Sequence, residues 1–142
     1  MKSFNIQIKH NKELMNPSQF TTKNGETITL QKTQEFAPKY INNIFAYNSD
    51  RRKVGEVTLK ECSIFWMGVE EKYQRQGIGS HLFKVALSDL KNQGCERATW
   101  YALTASMDFY LKQNAYITDP WYDPFIEREV VRMSIPLNRP YS

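Results

Sequence analysis

Gln74-Arg75-Gln76-Gly77-Ile78-Gly79-Ser80 is a run of residues built to hold an anion. Gly77 and Gly79 let the backbone approach a bulky guest and take positive φ without steric cost. Where such a run opens a helix, the first turn has unpaired N–H groups, and the helix dipole adds positive potential. Arg75 contributes a mobile positive charge. The guest that suits this chemistry is a phosphate or a pyrophosphate. A Walker A loop is excluded, because no Gly-Lys-Ser/Thr follows. A dinucleotide fingerprint fits poorly, because Leu82 stands where a third glycine is wanted.

The flanking elements place the run between a strand and a helix. Cys62 to Val69 carries Ile64, Phe65, Trp66, Met67 and Val69, a nearly continuous apolar stretch that reads as a strand buried on both faces. Ile78 to Asn92 reads as an amphipathic helix with Ile78, Leu82, Val85, Ala86 and Leu90 on one stripe and Gly94 as its stop. Upstream, Ile41–Tyr47 and Val54–Leu59 form a hairpin around Asn48-Ser49-Asp50 and the basic run Arg51-Arg52-Lys53. Downstream come a strand over Ala98–Leu103, a short helix over Ser106–Gln113, and strands over Tyr116–Thr118 and Glu129–Ile135. Asp119-Pro120-Trp121-Tyr122-Asp123-Pro124-Phe125 reads as an aromatic loop between the last two strands. Residues 11–40 hold turn signals at Asn16-Pro17-Ser18 and Lys23-Asn24-Gly25 and a short strand over Thr27–Leu30. Pro38 blocks a helix there.

A chain of 142 residues fits one domain, taken as residues 1–142, with 41% hydrophobic and 24% charged residues. It holds no long uncharged apolar run, so no membrane partner is expected. Met1 to Lys9 alternates polar and apolar residues and reads as a first strand, without the apolar block of a secretory signal. A cytoplasmic protein is expected. Cys62 and Cys95 are too few for a disulfide framework or a metal site and read as reduced thiols. His10 and His81 show no ligand spacing, so no metal is expected. Net charge is +4, with Arg51-Arg52-Lys53 the one dense basic run. A solvated hairpin tip does not make a nucleic-acid groove, so no nucleic acid is expected.

The loop, taken with Val69-x-x-x-Tyr73 before it, resembles the acyl-CoA motif Gln/Arg-x-x-Gly-x-Gly/Ala of the GNAT superfamily of N-acetyltransferases. Gln74, Gly77 and Gly79 match it. Phe109-Tyr110-Leu111-Lys112-Gln113-Asn114-Ala115-Tyr116 resembles a second family motif, Phe-Tyr-x-Lys-x-Gly-Phe. There Asn114 replaces Gly, a mild change if the position is left-handed. The aromatic comes one residue late unless Ala115 fills its place. The order of elements matches the family core over residues 41–137. Residues 1–40 depart from it, since most members carry one or two helices there.

The resemblance implies an α/β fold with a mixed, mostly antiparallel central sheet and helices on both faces. It implies acetyl transfer from acetyl-CoA to a primary amine by direct attack in a ternary complex. Gln74, Arg75, Gln76, Gly77, Ile78, Gly79 and Ser80 would hold the pyrophosphate. The backbone of Met67, Gly68 and Val69 would hold the pantetheine arm and polarise the thioester. Tyr110 would protonate the leaving thiolate. Where family members often place a Glu or a His as base, this chain has Ser63, which leaves Glu61 and Glu70 as candidates. Ser106 and Asp108 read as helix-capping residues. The acceptor, a small molecule or a protein amine, would be read by residues 15–40 and 118–127. There Asp119 and Asp123 could pair with the amine. Trp121, Tyr122 and Phe125 could wall a pocket, form a homodimer surface or cover the sheet edge. A non-catalytic acyl-CoA-binding regulator is the alternative, since Ser63 offers no carboxylate.

Overall fold

The computed structural model describes residues 18–35, 41–123 and 128–137. The expected first strand over Met1–Lys9, the turn at Asn16-Pro17 and Phe125 lie outside the described residues. Eight strands form one mixed sheet: β1 (Ser18–Thr21), β2 (Thr27–Glu35), β3 (Ile41–Tyr47), β4 (Lys53–Lys60), β5 (Ser63–Val69), β6 (Arg97–Leu103), β7 (Tyr116–Asp123) and β8 (Arg128–Pro136). Their order is β1-β2-β3-β4-β5-β6-β8-β7. β5 and β6 are parallel, joined at Ser63↔Thr99. The β1–β2, β2–β3, β3–β4, β6–β8 and β7–β8 pairs are antiparallel. Helix α1 (Ile78–Asn92) makes the crossover that a parallel pair demands, and α2 (Met107–Lys112) follows β6.

The chain forms two compact units. One comprises the residues up to Glu61 together with Trp66–Ala86; the other comprises Cys62–Phe65 and the chain from Leu87. In the first unit, alternation along β3 and over Gly55–Lys60 of β4 buries Ile44, Ala46, Val57 and Leu59, with Ile28 and Leu30 of β2 and Ile78, Leu82, Phe83 and Ala86 of α1. Phe83, not Val85, completes the helix stripe. Gly55 permits close approach of α1 to the sheet. A Cβ there would come within 3.3 Å of both Leu82 Cδ1 and the Gly68 carbonyl. In the second unit, Ala98, Trp100 and Ala102 of β6 are buried, as are Val131 and Met133 of β8 and Tyr110 of α2.

Four features depart from the sequence reading. Cys62 and Cys95 form a disulfide, with Cα atoms 5.8 Å apart, so they are not free thiols. The turn Gly94-Cys95 after α1 brings a position 33 residues away in sequence beside the start of β5. β5 is not buried on both faces: Phe65 is 71% and Trp66 56% exposed. A continuous apolar run records composition, and only the neighbouring elements decide which face is covered. The stretch Asp119–Asp123 is strand, not loop. β7 ends the sheet order, so Pro120 can lie in a strand without interrupting an inner ladder, and the register shifts by a bulge between Ile117 and Asp119. Finally, β1 and β2 form a hairpin over residues that showed only a short strand, closed by Gly25 at φ +85°.

Candidate active site

β5 ends at Val69, a 3₁₀ turn covers Glu71–Tyr73, and α1 opens at Ile78. The Gln74 side chain closes this connection by donating Nε2–H to the Val69 carbonyl at 2.9 Å. Gln76 Nε2 donates to the Lys72 carbonyl at 3.3 Å. Gly77 has φ +93°, a conformation that favours glycine. The second left-handed residue is Arg75, at φ +64°, not Gly79, which lies in the first turn of α1. Ile78 is 1% exposed and anchors the helix start. The His81 N–H returns to the Gly77 carbonyl at 3.1 Å, so the helix's leading amides lie ahead of it, within the glycine run. This turn, with Arg75 exposed beside it, offers amide donors and positive charge to an anion.

No local signal in residues 18–21 pointed to a strand that reaches α1. The Phe20 ring stacks on the His81 imidazole, centroids 3.7 Å apart and planes at 12°. Burial, with the Lys84 charge added, lowers the His81 pKa and keeps the ring neutral further into acid. Tyr73, the aromatic of the first motif, ties two turns together. Its hydroxyl donates to Glu26 at 3.3 Å and accepts from Asn48 Nδ2 at 3.0 Å. The Ser49 amide and hydroxyl donate to the same Glu26 carboxylate and are the main cause of its lowered pKa.

At the end of β5, the Glu70 N–H bonds the Val54 carbonyl at 2.8 Å, and the Glu70 carboxylate pairs with the Arg52 guanidinium. Met67, Gly68 and Val69 are partly exposed. The missing side chain of Gly68 makes room for the Trp66 indole, which a Cβ would meet at 3.2 Å. Glu61 is exposed in the β4–β5 turn at φ +57°.

In the second unit, Tyr110 is 8% exposed on α2. Its ring centroid lies 5.1 Å from Trp100 and 5.0 Å from Phe109. Burial pushes the phenol up to about 12. Asn114 is left-handed, φ +71°, and the Ala115 N–H reaches back to the Tyr110 carbonyl at 3.2 Å. Ala115 is 5% exposed and Tyr116 50%, so Ala115 takes the inward place and the register is settled. The Ser106 side chain makes no capping bond, contrary to expectation, because a 3₁₀ turn over Thr104–Ser106 leads into the helix. Ser63 shares a hydrogen bond of 3.1 Å with the Thr99 hydroxyl. The side chains of Asp119, Trp121, Tyr122 and Asp123 lie outside the described residues. Among the described residues no His/Cys/Asp/Glu group could hold a metal, and no helix is long and apolar enough to cross a membrane.

Comparison with known proteins places the chain in one family. The model of the Acetyltransferase (GNAT) family matches residues 40–116. The chain belongs to this family of N-acetyltransferases. No curated protein matches it. Its fold is similar to that of a nourseothricin acetyltransferase, with TM-score 0.63 and 14% identity over 85% of this chain and 83% of that one. An acetyltransferase of Bacillus subtilis in complex with CoA superposes with TM-score 0.61 and 19% identity, over 68% of this chain and 77% of that one. A spermidine/spermine N-acetyltransferase from Vibrio cholerae gives TM-score 0.59 and 14% identity, over 68% and 65%.

Proposed function

We propose that the chain transfers an acetyl group from acetyl-CoA to a primary amine by direct attack in a ternary complex, residues 1–142 acting as one domain in the cytoplasm. The observation that carries this reading is the strand–turn–helix at Gln74–Ser80, with Gly77 left-handed and Gln74 closing the loop onto Val69. Its amides and Arg75 suit the pyrophosphate of CoA, and Met67, Gly68 and Val69 supply the backbone for the pantetheine arm. A donor N–H there would stabilise charge on the thioester oxygen. The amine loses one proton as the C–N bond forms and the C–S bond breaks; the sulfur gains one. Tyr110 keeps its proton at neutral pH and donates to the sulfur.

Glu61 and Glu70 remain the candidate bases, with water as relay. The Arg52 pairing occupies Glu70, and the Thr99 bond occupies Ser63. Ser63 offers no carboxylate, which favours the second reading, an acyl-CoA-binding regulator without turnover. Calorimetry with acetyl-CoA, followed by an amine screen reading free thiol, tests both. Acetyl-CoA should bind and at least one amine should release thiol. Gly79→Glu should stay folded and lose binding, because the new side chain fills the site with like charge. Unchanged affinity in that variant would remove the pyrophosphate assignment, and binding without turnover across the screen would favour the regulator.

A further inference from the structure

A groove of about 280 Å³ opens in the first unit beside the strand end that the proposed cofactor arm would follow. Its lining includes Lys53, Glu56, Trp66, Gly68 and Glu70. Trp66 lies against Gly68 and is 56% exposed, an apolar plate that the described residues leave half open to solvent. Two ion pairs have members in this lining. Lys53 Nζ is 2.8 Å from Glu56 and 4.9 Å from the Phe45 ring centroid. Arg52 pairs with Glu70 and lies 5.9 Å from the Tyr73 ring centroid.

We propose that this groove is the acceptor subsite and that it takes a zwitterionic amine bearing a flat apolar group, the chemistry of an aromatic α-amino acid. The inference rests on the acetyl-transfer reading. Charge complementarity selects the class. Lys53, Glu56 and Glu70 line the groove and Arg52 pairs with Glu70, so the four charges of the two ion pairs sum to zero. Exposed ion pairs are weak and open readily. A zwitterion can replace a partner in each pair: its ammonium takes a carboxylate, its carboxylate takes a cation, and the cations keep their aromatic seats. A polyamine would leave Lys53 and Arg52 facing like charge, and a simple anion would do the same to Glu56 and Glu70. A volume of about 280 Å³ suits a small molecule. The Trp66 face supplies the stacking surface for the flat group. Before transfer the ammonium sheds one proton to solvent. The nitrogen sheds a second as the C–N bond forms and the C–S bond breaks, and the sulfur takes up one.

The test is calorimetric titration of the full chain with L-phenylalanine and L-tryptophan, without acetyl-CoA, beside phenethylamine, phenylacetate and spermidine. The amino acids should bind, and each singly charged analogue should bind roughly fivefold or more weakly, having lost one ion-pair partner. Trp66→Ala should weaken amino-acid binding by about tenfold, and Glu56→Gln should narrow the preference for L-phenylalanine over phenylacetate. Thermal melts check that both variants fold. Equal or tighter binding of spermidine or phenethylamine, no amino-acid binding, or amino-acid binding unchanged in Trp66→Ala would overturn the proposal. A parallel titration with acetyl-CoA separates the two failures. Acetyl-CoA binding without amino-acid binding defeats the groove alone, and the reverse defeats the transfer reading while leaving the groove a zwitterion site.

Discussion

Tyr110 carries the most chemistry on one atom. Its phenol is buried between Trp100 and Phe109, and burial holds the proton on oxygen up to about 12. In the proposed reaction the Tyr110 hydroxyl is the donor to the leaving sulfur. Tyr110→Phe keeps the ring and removes only that donor. Turnover should fall by roughly 10²-fold while acetyl-CoA affinity stays nearly constant, as steady-state kinetics and calorimetry would show. Full activity in the variant would remove the role. The raised pKa also sets a stability limit. The native state holds this proton longer than the unfolded chain, so the contribution is complete below pH 10 and is lost as pH rises through about 12. Denaturant unfolding in that window should show a loss of stability that is absent in Tyr110→Phe.

At the scale of elements, two connections determine where the site residues stand. Helix α2 ends on left-handed Asn114, which lets Ala115 turn inward and Tyr116 outward. Asn114→Gly should preserve the fold and raise stability by up to about 1 kcal/mol, and Asn114→Val should lower it by a similar or larger amount. Chemical denaturation of both variants would show this, and equal stabilities would contradict the left-handed turn. The disulfide joins the residue before β5 to the residue after the Gly94 turn that ends α1. It closes a long loop in the unfolded chain. Reduction, or Cys62→Ser with Cys95→Ser, should lower stability by about 2–4 kcal/mol. The intact bond is checked by mass before and after alkylation. A protein whose thiols alkylate without reductant would show that the pair is open.

At the scale of the whole molecule, a net charge of +4 suits the strongly anionic cosubstrate proposed for it. Part of the basic surplus is already engaged, since Arg52 and Lys53 pair with Glu70 and Glu56. Arg75 is exposed beside the turn proposed to hold the pyrophosphate. Arg75→Ala should weaken acetyl-CoA binding, and the difference from the parent protein should shrink as salt is raised, because screening removes the interaction between exposed charges. Affinities that coincide across the salt series would take Arg75 out of the site.

Several features were legible in the residues alone because they depend on local chemistry. Helix α1 over Ile78–Asn92 follows from its apolar stripe and from Gly94, and the hairpin of β3 and β4 follows from alternation around Asn48-Ser49-Asp50. The left-handed turn at Asn114 needed only the tolerance of that side chain for positive φ. Contacts between distant positions have no such signature. The Cys62–Cys95 bond, the Phe20–His81 stack and the Arg52–Glu70 pair each join segments that the chain order keeps apart. Exposure is equally non-local. Phe65 and Trp66 have the composition of a core strand, and Pro120 has that of a loop, yet the first two are exposed and the third lies in the strand that ends the sheet order. Periodicity and turn chemistry act over a few residues, so the sequence determined α1 and the β3–β4 hairpin; the β1–β2 hairpin, the extent of β7, the covered faces and the charges that meet depend on where the sheet places its neighbours, so only the tertiary structure decided those.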